Sequence, residues 1–558
     1  MKIALGIHIG HDRGAAIIKD GIVIGAIAQE RLDRIKYSRS SSIPVESINM
    51  LLEYLELTFN DISCIGISYH AIEGLSVENF YHEELVSIYK CARVPVFFTN
   101  HHAAHAYSAF FSSGFDNALV LVADGAGDYV NCMQEAESLF VAKDNKIELV
   151  CRRLQSPSIG RTSDERNYIL PQMPPFVQDL EVSLGKKFGQ ITHLLGFGRS
   201  GAGKVMGLSG YGKPLFNFNA YKRNDFFNFS LKNKDLLEEI FAIMTLSGKS
   251  YKIFIQDERA NIANTVQLML ENTVLDLIGD IINLYKNKNL VLSGGVFLNC
   301  LLNHKVVKRF DLDNFFVLPP AGDDGQALGS AYYAYLKCFG TQDKFIVNLP
   351  YIGISYTDKV VERALENANL NYKKLSDDIL AEEIAKRISK NKIVALHRGR
   401  TEIGPRALCH RSILANPKNP NIKNILNHKV KHREPFRPFA PTVIAEEQFK
   451  YFDLKFESNF MLIATMVKEE FKQQLSGITH VDGTARVQAV SEDSEPFIHK
   501  VLLATKKHIG FPIVVNTSFN VDSEPILESP FDAIETFLKT QIDCLVIGNF
   551  IVDKEFSR

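Results

Sequence analysis

Apolar residues in the first part of the chain fall into short runs of strand length, separated by glycines and acids. The first runs are residues 3–8, 14–19 and 22–28, and Asp20-Gly21 between the last two is typical of a hairpin turn. A similar order starts again later and predicts strands at residues 118–123, 129–137, 139–143 and 147–154. The repetition predicts an internally duplicated α/β fold in which paired glycine-rich turns face one another across a cleft.

Helical patterns alternate with strands in the rest of the chain. The amphipathic helix 260–285 precedes the strands 290–292 and 315–318, and the helix 376–392 precedes the strand 393–397. The pattern lapses around residues 340–350, so we place the boundary between two domains, 1–348 and 349–558, there. Residues 30–42 are predicted to be a solvated loop. The glycine-rich residues 185–214 are either a loose loop or an anion site that uses Lys204 and Lys213.

The overall composition argues against some classes of partner. The 558 residues carry a net charge of -1 and a pI near 7, so no global field favours nucleic acid or an anionic membrane. The eight cysteines include no C-x-x-C pair, which argues against a zinc ribbon or a disulfide framework. No signal peptide and no apolar run of membrane-spanning length is evident. We expect a cytoplasmic protein without nucleic-acid or membrane partners, and a homodimer stays open.

A pair of histidines suggests a metal site. Asn100 can cap a helix, and His101 and His105 then lie one turn apart on one face. An amphipathic helix whose histidines bond to neighbours would give the same spacing. Two strand ends supply carboxylates, Asp124 and Asp323, which would complete a set of two nitrogens and two oxygens. Such mixed ligands suit iron(II) or manganese better than structural zinc.

The second half of the chain places basic residues among phenylalanine, proline and alanine. They occur in residues 398–414, 431–441, 482–488 and 516–520. A surface charge run would alternate with glutamate and lysine instead, so a lined pocket is favoured. Because arginine forks bind phosphate and asparagine or serine can recognise a small amide, we predict a compact phosphorylated ligand. The glycine pair at 294–295, after a strand, would let an adenosine lie against the backbone.

Several of these segments together resemble one family, the O-carbamoyltransferases that include nodulation and antibiotic-tailoring enzymes. The shared motifs are R-x-E-I-G-P-R-A-L, K-x-R-E-x-F-R-P-F-A-P, T-A-R-x-Q and N-T-S-F-N, with H-D near the start and H-H-x-x-H-A-x-S-A-F. The resemblance covers essentially the whole chain. It implies an N-terminal duplicated domain of the actin and sugar-kinase (ribonuclease H-like) class, similar to the tRNA threonylcarbamoyltransferase. The C-terminal α/β domain would be similar to threonylcarbamoyl-adenylate synthase.

The resemblance implies an activity and its cofactors. The C-terminal domain would make carbamoyl-adenylate from carbamoyl phosphate and ATP, and the N-terminal domain would pass the carbamoyl group to a hydroxyl of a small molecule such as a sugar or an antibiotic. The separation of activation from transfer makes chemical sense, because an adenylate is a better donor to an alcohol than carbamoyl phosphate. A divalent metal is implied as well, iron(II) first, with manganese or magnesium as alternatives.

Matching motifs assign roles to individual residues. Phosphate or nucleotide binding falls to Lys431, Arg433, Arg437, Arg486, Asn516 and Ser518, with Arg398, Arg400, Glu402 and Arg406 nearby. The adenylate is expected near Gly294, Gly295 and Asn299, and the metal between His101, His105, Asp124 and Asp323. His11 and Asp12 match the H-D pair, and His11 is the candidate general base for the acceptor hydroxyl.

Some positions depart from the family pattern, and other functions stay open. Arg13-Gly14 and Tyr37 replace residues that are expected to influence acceptor fit, and Cys409 replaces a glycine beside the phosphate loop. A tRNA-modifying enzyme could use the same two domains, but it should present a basic face. A hydrogenase-maturation carbamoyl carrier should bring paired C-x-x-C motifs. A non-catalytic binding protein of the actin class would not need the arginine pocket.

Overall fold

A computed structural model of the chain describes residues 1–69, 77–130, 133–155, 182–216, 223–225, 228–229, 236–340 and 345–554. These residues form three large β-sheets with helices packed against them, which confirms the predicted α/β class. In the described part of the chain, no helix combines the length and the apolar character that crossing a bilayer requires.

The first two sheets share one topology. The spatial order in the first sheet is Ile22–Ala28, Gly14–Lys19, Ile3–Ile9, Cys64–Tyr69 and Val96–Phe98. The order in the second is Lys146–Gln155, Met133–Lys143, Asn117–Ala123, Asn289–Ser293 and Asn314–Val317, with Tyr129–Val130 also paired to Met133–Lys143. In each sheet the first strand along the chain pairs antiparallel on one side and parallel on the other. The predicted duplication is therefore confirmed.

The third sheet is built entirely from residues after the predicted domain boundary. Its spatial order is Lys373–Lys374, Phe550–Asp553, Cys544–Ile547, Val394–His397, Arg411–Ala415, Ile513–Ser518, Ala440–Ile444 and Gln488–Val490. Two small ladders pair Ala464–Met466 with Thr484–Arg486 and Arg223–Asp225 with Asn228–Phe229. The boundary at residues 348 and 349 itself stays a prediction.

The α-helices surround these sheets. Those before residue 350 are Glu30–Asp33, Val45–Tyr54, Glu78–Tyr89, His101–Ser113, Leu184–Leu194, Ala202–Ser209, Leu236–Ser247, Tyr251–Tyr285, Cys300–Arg309 and Gln326–Phe339. Those after it are Asp358–Asn367, Asp377–Ser389, Ile422–Leu426, Gln448–Tyr451, Glu469–Lys472, Pro496–Ile509 and Pro530–Lys539.

The helix Gln326–Phe339 lies between the first sheet and the histidine-bearing helix, and glycines allow this close packing. A Cβ atom on Gly6 would lie 1.9 Å from the carbonyl oxygen of Ala327, and one on Gly329 would lie 1.9 Å from that of Ala104. Both contacts are far too short for any side chain, so only glycine fits. This packing fixes the turn that carries Asp323 against the helix His101–Ser113.

Three local predictions need correction. Residues 30–42 are not simply a solvated loop, because the helix Glu30–Asp33 buries Arg31 at 4% exposure. The predicted break at residue 138 does not occur, since Met133–Lys143 is one strand and Ser138 bonds to His102 (2.7 Å). For the glycine-rich residues 185–214, the loose-loop alternative is wrong, because apolar residues such as Ile191 and Val205 anchor two helices in the core.

Candidate metal and phosphate site

Four side chains that could ligate a metal come together: His101, His105, Asp124 and Asp323. The Nε2 atom of His101 lies 3.4 Å from both Asp124 Oδ2 and Asp323 Oδ1. The Nε2 atom of His105 lies 3.2 Å from Asp323 Oδ1 and 3.7 Å from Asp124 Oδ2. Tetrahedral ligands bonded to one ion at about 2.1 Å are about 3.4 Å apart. The two nitrogens and two oxygens therefore fit a divalent metal.

Separate parts of the fold hold these ligands. The histidines lie one turn apart on a helix that Asn100 caps, its Oδ1 atom accepting a hydrogen bond from the backbone N–H of Ala103 (3.0 Å). Asp124 directly follows the strand Asn117–Ala123, and Asp323 begins the turn before the next long helix. A strand end, a capped helix and a turn thus bring together residues more than 200 positions apart in the sequence, and Asp323 does not directly follow a strand as predicted.

Both carboxylates are ionised in the folded protein. Burial alone would raise the pKa of Asp323, but the imidazoles of His11 and His101 hold it well below its usual range. Burial also disfavours ionised Asp124, yet the neighbouring imidazoles of His101 and His105 hold its pKa well below the usual range. The two acids are therefore in the anionic form that metal ligation needs.

His11 and Asp12 lie beside the ligand cluster. The Nε2 atom of His11 is 3.2 Å from Asp323 Oδ2, and its Nδ1 atom is 3.0 Å from Asp12 Oδ2. The charge of Asp323 raises the pKa of His11 to about 9 against the opposing effect of burial, with a smaller contribution from Asp12. The His11 side chain is 46% exposed. It is therefore open to a molecule that approaches from solvent.

The glycine pair holds one of the ligands. The backbone N–H of Gly295 donates to Asp124 Oδ1 (3.0 Å), which leaves Oδ2 directed at the histidines. Gly294 has φ of 97°, and a Cβ atom there would lie 2.2 Å from the carbonyl oxygen of Ala123. Asn299 uses its amide to bond Gln267 and to cap the following helix. The contacts of Gly295 and Asn299 are thus structural, whether or not an adenosine also lies here.

Sequence reasoning missed two neighbours of the cluster. His8 is buried at the end of its strand, with Nε2 3.9 Å from Asp323 Oδ2. Asp128 Oδ2 accepts hydrogen bonds from the backbone N–H of His101 (2.8 Å) and from Asn100 Nδ2 (2.9 Å). The sequence contains two signals for these neighbours. His8 is a polar residue near the end of an apolar strand, and Asp128 is a second acid in the run after Asp124.

Several of the predicted phosphate-binding residues form one cationic cluster. Burial, and then the neighbouring cations Arg437 and Arg486, lower the pKa of Arg433 to about 9. Burial and Arg406 lower the pKa of Arg486 to about 9. Burial lowers the pKa of Lys431 well below its usual range, and Arg433 and Arg437 lower it further. Guanidinium groups that repel one another in this way favour a bound anion.

Polar side chains bond to Lys431 and to other residues that are predicted to bind phosphate. The Lys431 ammonium donates to Ser518 Oγ (3.2 Å) and Asn520 Oδ1 (2.8 Å). The buried amide of Asn516 donates to Gln488 Oε1 (2.9 Å) and Thr442 Oγ1 (3.0 Å). Arg437 lies 3.7 Å from Asp522. These partners hold Lys431 against the strand Ile513–Ser518 of the third sheet and fix Asn516 within it.

Three of the residues expected nearby are committed to other contacts. Arg398 pairs with Asp377 (2.9 Å) and bonds to Asn549. Arg400 donates to three backbone carbonyls, those of Ile24, Ile352 and Gly353. Glu402 accepts from the backbone N–H groups of Leu408 and Arg411. These contacts hold the loop in place, and a role of the three side chains beside the bound phosphate stays a prediction.

Arg406 connects the two clusters. Its Nη2 atom donates to the carbonyl oxygen of Leu298 (3.3 Å), and its charge acts on Arg486. Leu298 ends the 3-10 helix Gly295–Leu298, whose first residue bonds Asp124. A single short helix therefore lies between a metal-ligand carboxylate and the cationic cluster.

Comparison with known proteins gives related matches for both halves. A family model described as the N-terminus of carbamoyltransferases matches residues 75–332, and one described as their C-terminus matches residues 385–554. Nodulation protein NolNO of Sinorhizobium fredii is 30% identical, with 98% of this chain and 79% of that protein covered. The 3'-hydroxymethylcephem-O-carbamoyltransferase of Amycolatopsis lactamdurans is 34% identical, with 47% of this chain and 48% of that enzyme covered. Full-length HypF in its phosphate- and nucleotide-bound form aligns with a TM-score of 0.42 and 15% identity, covering 61% of this chain and 56% of that chain.

Proposed function

Because this chain belongs to the carbamoyltransferase family, we propose that it is an ATP-dependent O-carbamoyltransferase that works through carbamoyl-adenylate. The observation that carries the proposal is the short link between the two clusters: the helix Gly295–Leu298 touches Asp124 at one end and Arg406 at the other. A donor made beside the arginines would have a short way to travel to the histidines and aspartates.

In this proposal the cationic cluster binds the phosphates of carbamoyl phosphate and ATP. Arg437 and Arg486 stand close enough to lower the pKa of Arg433, and phosphate oxygens would relieve the repulsion between these charges. Water first hydrolyses carbamoyl phosphate to carbamate and phosphate, and a carbamate oxygen then attacks the α-phosphorus of ATP, which releases pyrophosphate and forms carbamoyl-adenylate. The adenylate has a good leaving group and a large handle whose binding energy can orient the transfer.

The four-ligand cluster suits a divalent metal, for which iron(II), manganese and magnesium are the candidates. When bound, such a metal would polarise a carbonyl or phosphate oxygen. The chain's own residues set the conditions: Asp124 and Asp323 stay ionised although buried, and the Gly295 N–H fixes which oxygen of Asp124 faces the histidines.

His11 is the residue that we assign to the acceptor hydroxyl. It is open to solvent on one side and held by Asp12 and Asp323 on the other. Its raised pKa derives mainly from the charge of Asp323, so a cation that shares this charge would bring His11 closer to the neutral form that a base needs. His11 then takes the hydroxyl proton as the oxygen attacks the carbamoyl carbon, and the bond from that carbon to the phosphate oxygen breaks, so that AMP leaves.

The acceptor is proposed to be a small molecule with a hydroxyl, such as a sugar, an antibiotic or another natural product. Named relatives point the same way, since one is a 3'-hydroxymethylcephem-O-carbamoyltransferase and another a nodulation protein. A tRNA acceptor would call for a strong basic field, whereas the chain has a net charge of -1.

The test is a two-stage assay on the purified protein. We expect pyrophosphate release that depends on carbamoyl phosphate and ATP together, without any acceptor. Mass spectrometry then screens hydroxylated sugars and antibiotics for a carbamate. Pyrophosphate release at the same rate with and without carbamoyl phosphate would contradict the proposal.

A further inference from the structure

A small cavity lies between the N-terminal and C-terminal parts of the chain, and its lining includes Asp324, the neighbour of the candidate metal ligand Asp323. Its polar lining includes Arg31 from the N-terminal part and Glu402 and Glu528 from the C-terminal part. The cavity volume is about 10 Å³, close to the smallest volume that holds one water molecule. All three side chains are almost completely buried, at 4%, 1% and 1% exposure.

Each of these side chains is held at one atom and has another polar atom to spare. Arg31 donates through Nη2 to the carbonyl oxygen of Gly404 (2.9 Å). Glu402 Oε1 accepts from two backbone N–H groups, and Glu528 Oε1 accepts from the Thr401 hydroxyl. The remaining atoms, Arg31 Nη1, Glu402 Oε2 and Glu528 Oε2, are buried without a hydrogen-bond partner among the residues that the structure describes.

One donor and two acceptors around a water-sized cavity match the hydrogen-bonding capacity of a single water molecule. Buried polar groups are costly to leave unpaired, and buried waters characteristically bond to about three of them. We propose that this cavity binds one ordered water, which accepts from Arg31 and donates to Glu402 and Glu528, and that this hydrated joint positions the two segments it connects.

Both connected segments lead directly to the proposed reaction site. Arg31 lies in the helix Glu30–Asp33, and the same segment carries Lys36, whose charge interacts with that of Arg437. Glu402 and Gly404 precede Arg406, which links the two clusters. The hydrated joint therefore sets the distance between the segment that carries Arg31 and the segment that carries Arg406. A carbamoyl donor would pass between these two segments. We infer that Arg31 is a positioning residue for that transfer, an inference that rests on the proposed function.

The structural test is a crystal structure of the full-length wild-type protein at high resolution. We expect one density peak within hydrogen-bond distance of all three atoms. A cavity without density would overturn the proposal, and so would a peak with the short ligand distances of a metal cation. This arm is independent of any enzymatic activity.

The functional test compares Arg31→Lys with Arg34→Lys. Arg34 crosses between the same two parts of the chain by donating to the carbonyl oxygens of Ile526 and Pro525, but it does not line the cavity. Lysine keeps the charge but cannot donate to Gly404 and to the water together in the same fork geometry. The measured quantity is carbamate formed per AMP released.

We expect Arg31→Lys to lower this ratio about tenfold, while pyrophosphate release stays within about twofold of wild type, because a small misplacement strongly affects transfer. Arg34→Lys should leave the ratio unchanged. Equal ratios in the two variants, or a parallel fall in pyrophosphate release and thermal midpoint, would reduce Arg31 to a structural contact and overturn the inference. Wild-type protein without carbamoyl-phosphate-dependent pyrophosphate release would instead contradict the proposed function, and the diffraction arm would still decide on the water.

Discussion

The Nε2 atom of His11 lies 3.2 Å from the Oδ2 atom of Asp323, while the other oxygen of that carboxylate faces His101 and His105. One buried acid therefore contacts both the ligand cluster and the exposed histidine. The side chain of Asp323 is 1% exposed and that of His11 is 46% exposed. The contact thus runs from the interior of the cluster to the side from which an acceptor would enter.

The first prediction concerns His11. His11→Gln should retain its metal and its carbamoyl-phosphate-dependent pyrophosphate release, but it should lose carbamate formation by about 100-fold or more, the usual contribution of a general base. Elemental analysis, a pyrophosphate assay and mass spectrometry measure the three quantities. A variant that transfers at the wild-type rate would remove His11 from the mechanism.

The second prediction concerns the ligand cluster. His105→Ala should lose bound metal by elemental analysis, because one of four ligands is gone, and it should lose transfer while adenylate formation continues. His102→Asn is the matched control, since His102 lies on the same helix but bonds to Ser138 instead of the cluster. Equal metal content in His105→Ala and wild type would favour a helix whose histidines serve packing alone.

The third prediction concerns the cationic cluster. Arg437→Ala and Arg486→Ala should each reduce pyrophosphate release by about 100-fold or more, the scale expected when a charged donor to a reacting phosphate is removed. Arg363→Ala, on an exposed face of the helix Asp358–Asn367, is the control and should behave as wild type. Circular dichroism checks folding. Wild-type rates of pyrophosphate release in both Arg437→Ala and Arg486→Ala would contradict the assignment of phosphate binding to this cluster.

How far the sequence predicts the metal cluster depends on the range of the interactions. The spacing of His101 and His105 and the cap at Asn100 are local, so the helix periodicity was enough to place both histidines on one face. The hydrogen bond from Gly295 that turns Asp124 joins residues 171 positions apart in the chain. No local pattern contains it.

The roles of the arginines likewise depend on contacts that the local sequence does not contain. In the sequence, Arg400 and Arg486 look alike, each close to a glycine and a threonine. In the structure, Arg400 donates through Nε and Nη2 to three carbonyls, one of them from Ile24 in the first sheet. Only tertiary contacts decide which guanidinium donates its hydrogen bonds to backbone carbonyls and which can donate them to an anion. The burial of Arg31 could not be predicted for the same reason, because its acceptor is Gly404.

The fourth prediction concerns acid stability. Burial, and then the charge of Arg411, hold the pKa of His397 well below its usual range, so the folded protein keeps this histidine neutral. The unfolded chain takes up a proton below about pH 6.5. Unfolding therefore binds a proton on acidification, and stability is lost as pH falls below about 6.5. His397→Gln should flatten the acid side of the thermal-midpoint profile, whereas His428→Gln, at an exposed position, should not. Parallel profiles would contradict this.

The last prediction tests the division of labour between the clusters. If adenylate formation depends on Arg437 and transfer depends on the cluster at Asp323, synthetic carbamoyl-adenylate should bypass the first step only. We would supply it to Arg437→Ala and to Asp323→Ala with an acceptor that the wild-type protein carbamoylates, and detect the carbamate by mass spectrometry. Product should appear with Arg437→Ala alone, because its ligand cluster is intact. Product in both variants would remove the ligand cluster from transfer. Failure in both would mean that Arg437 also acts in transfer, as expected if the short link through Gly295–Leu298 makes the two clusters a single site.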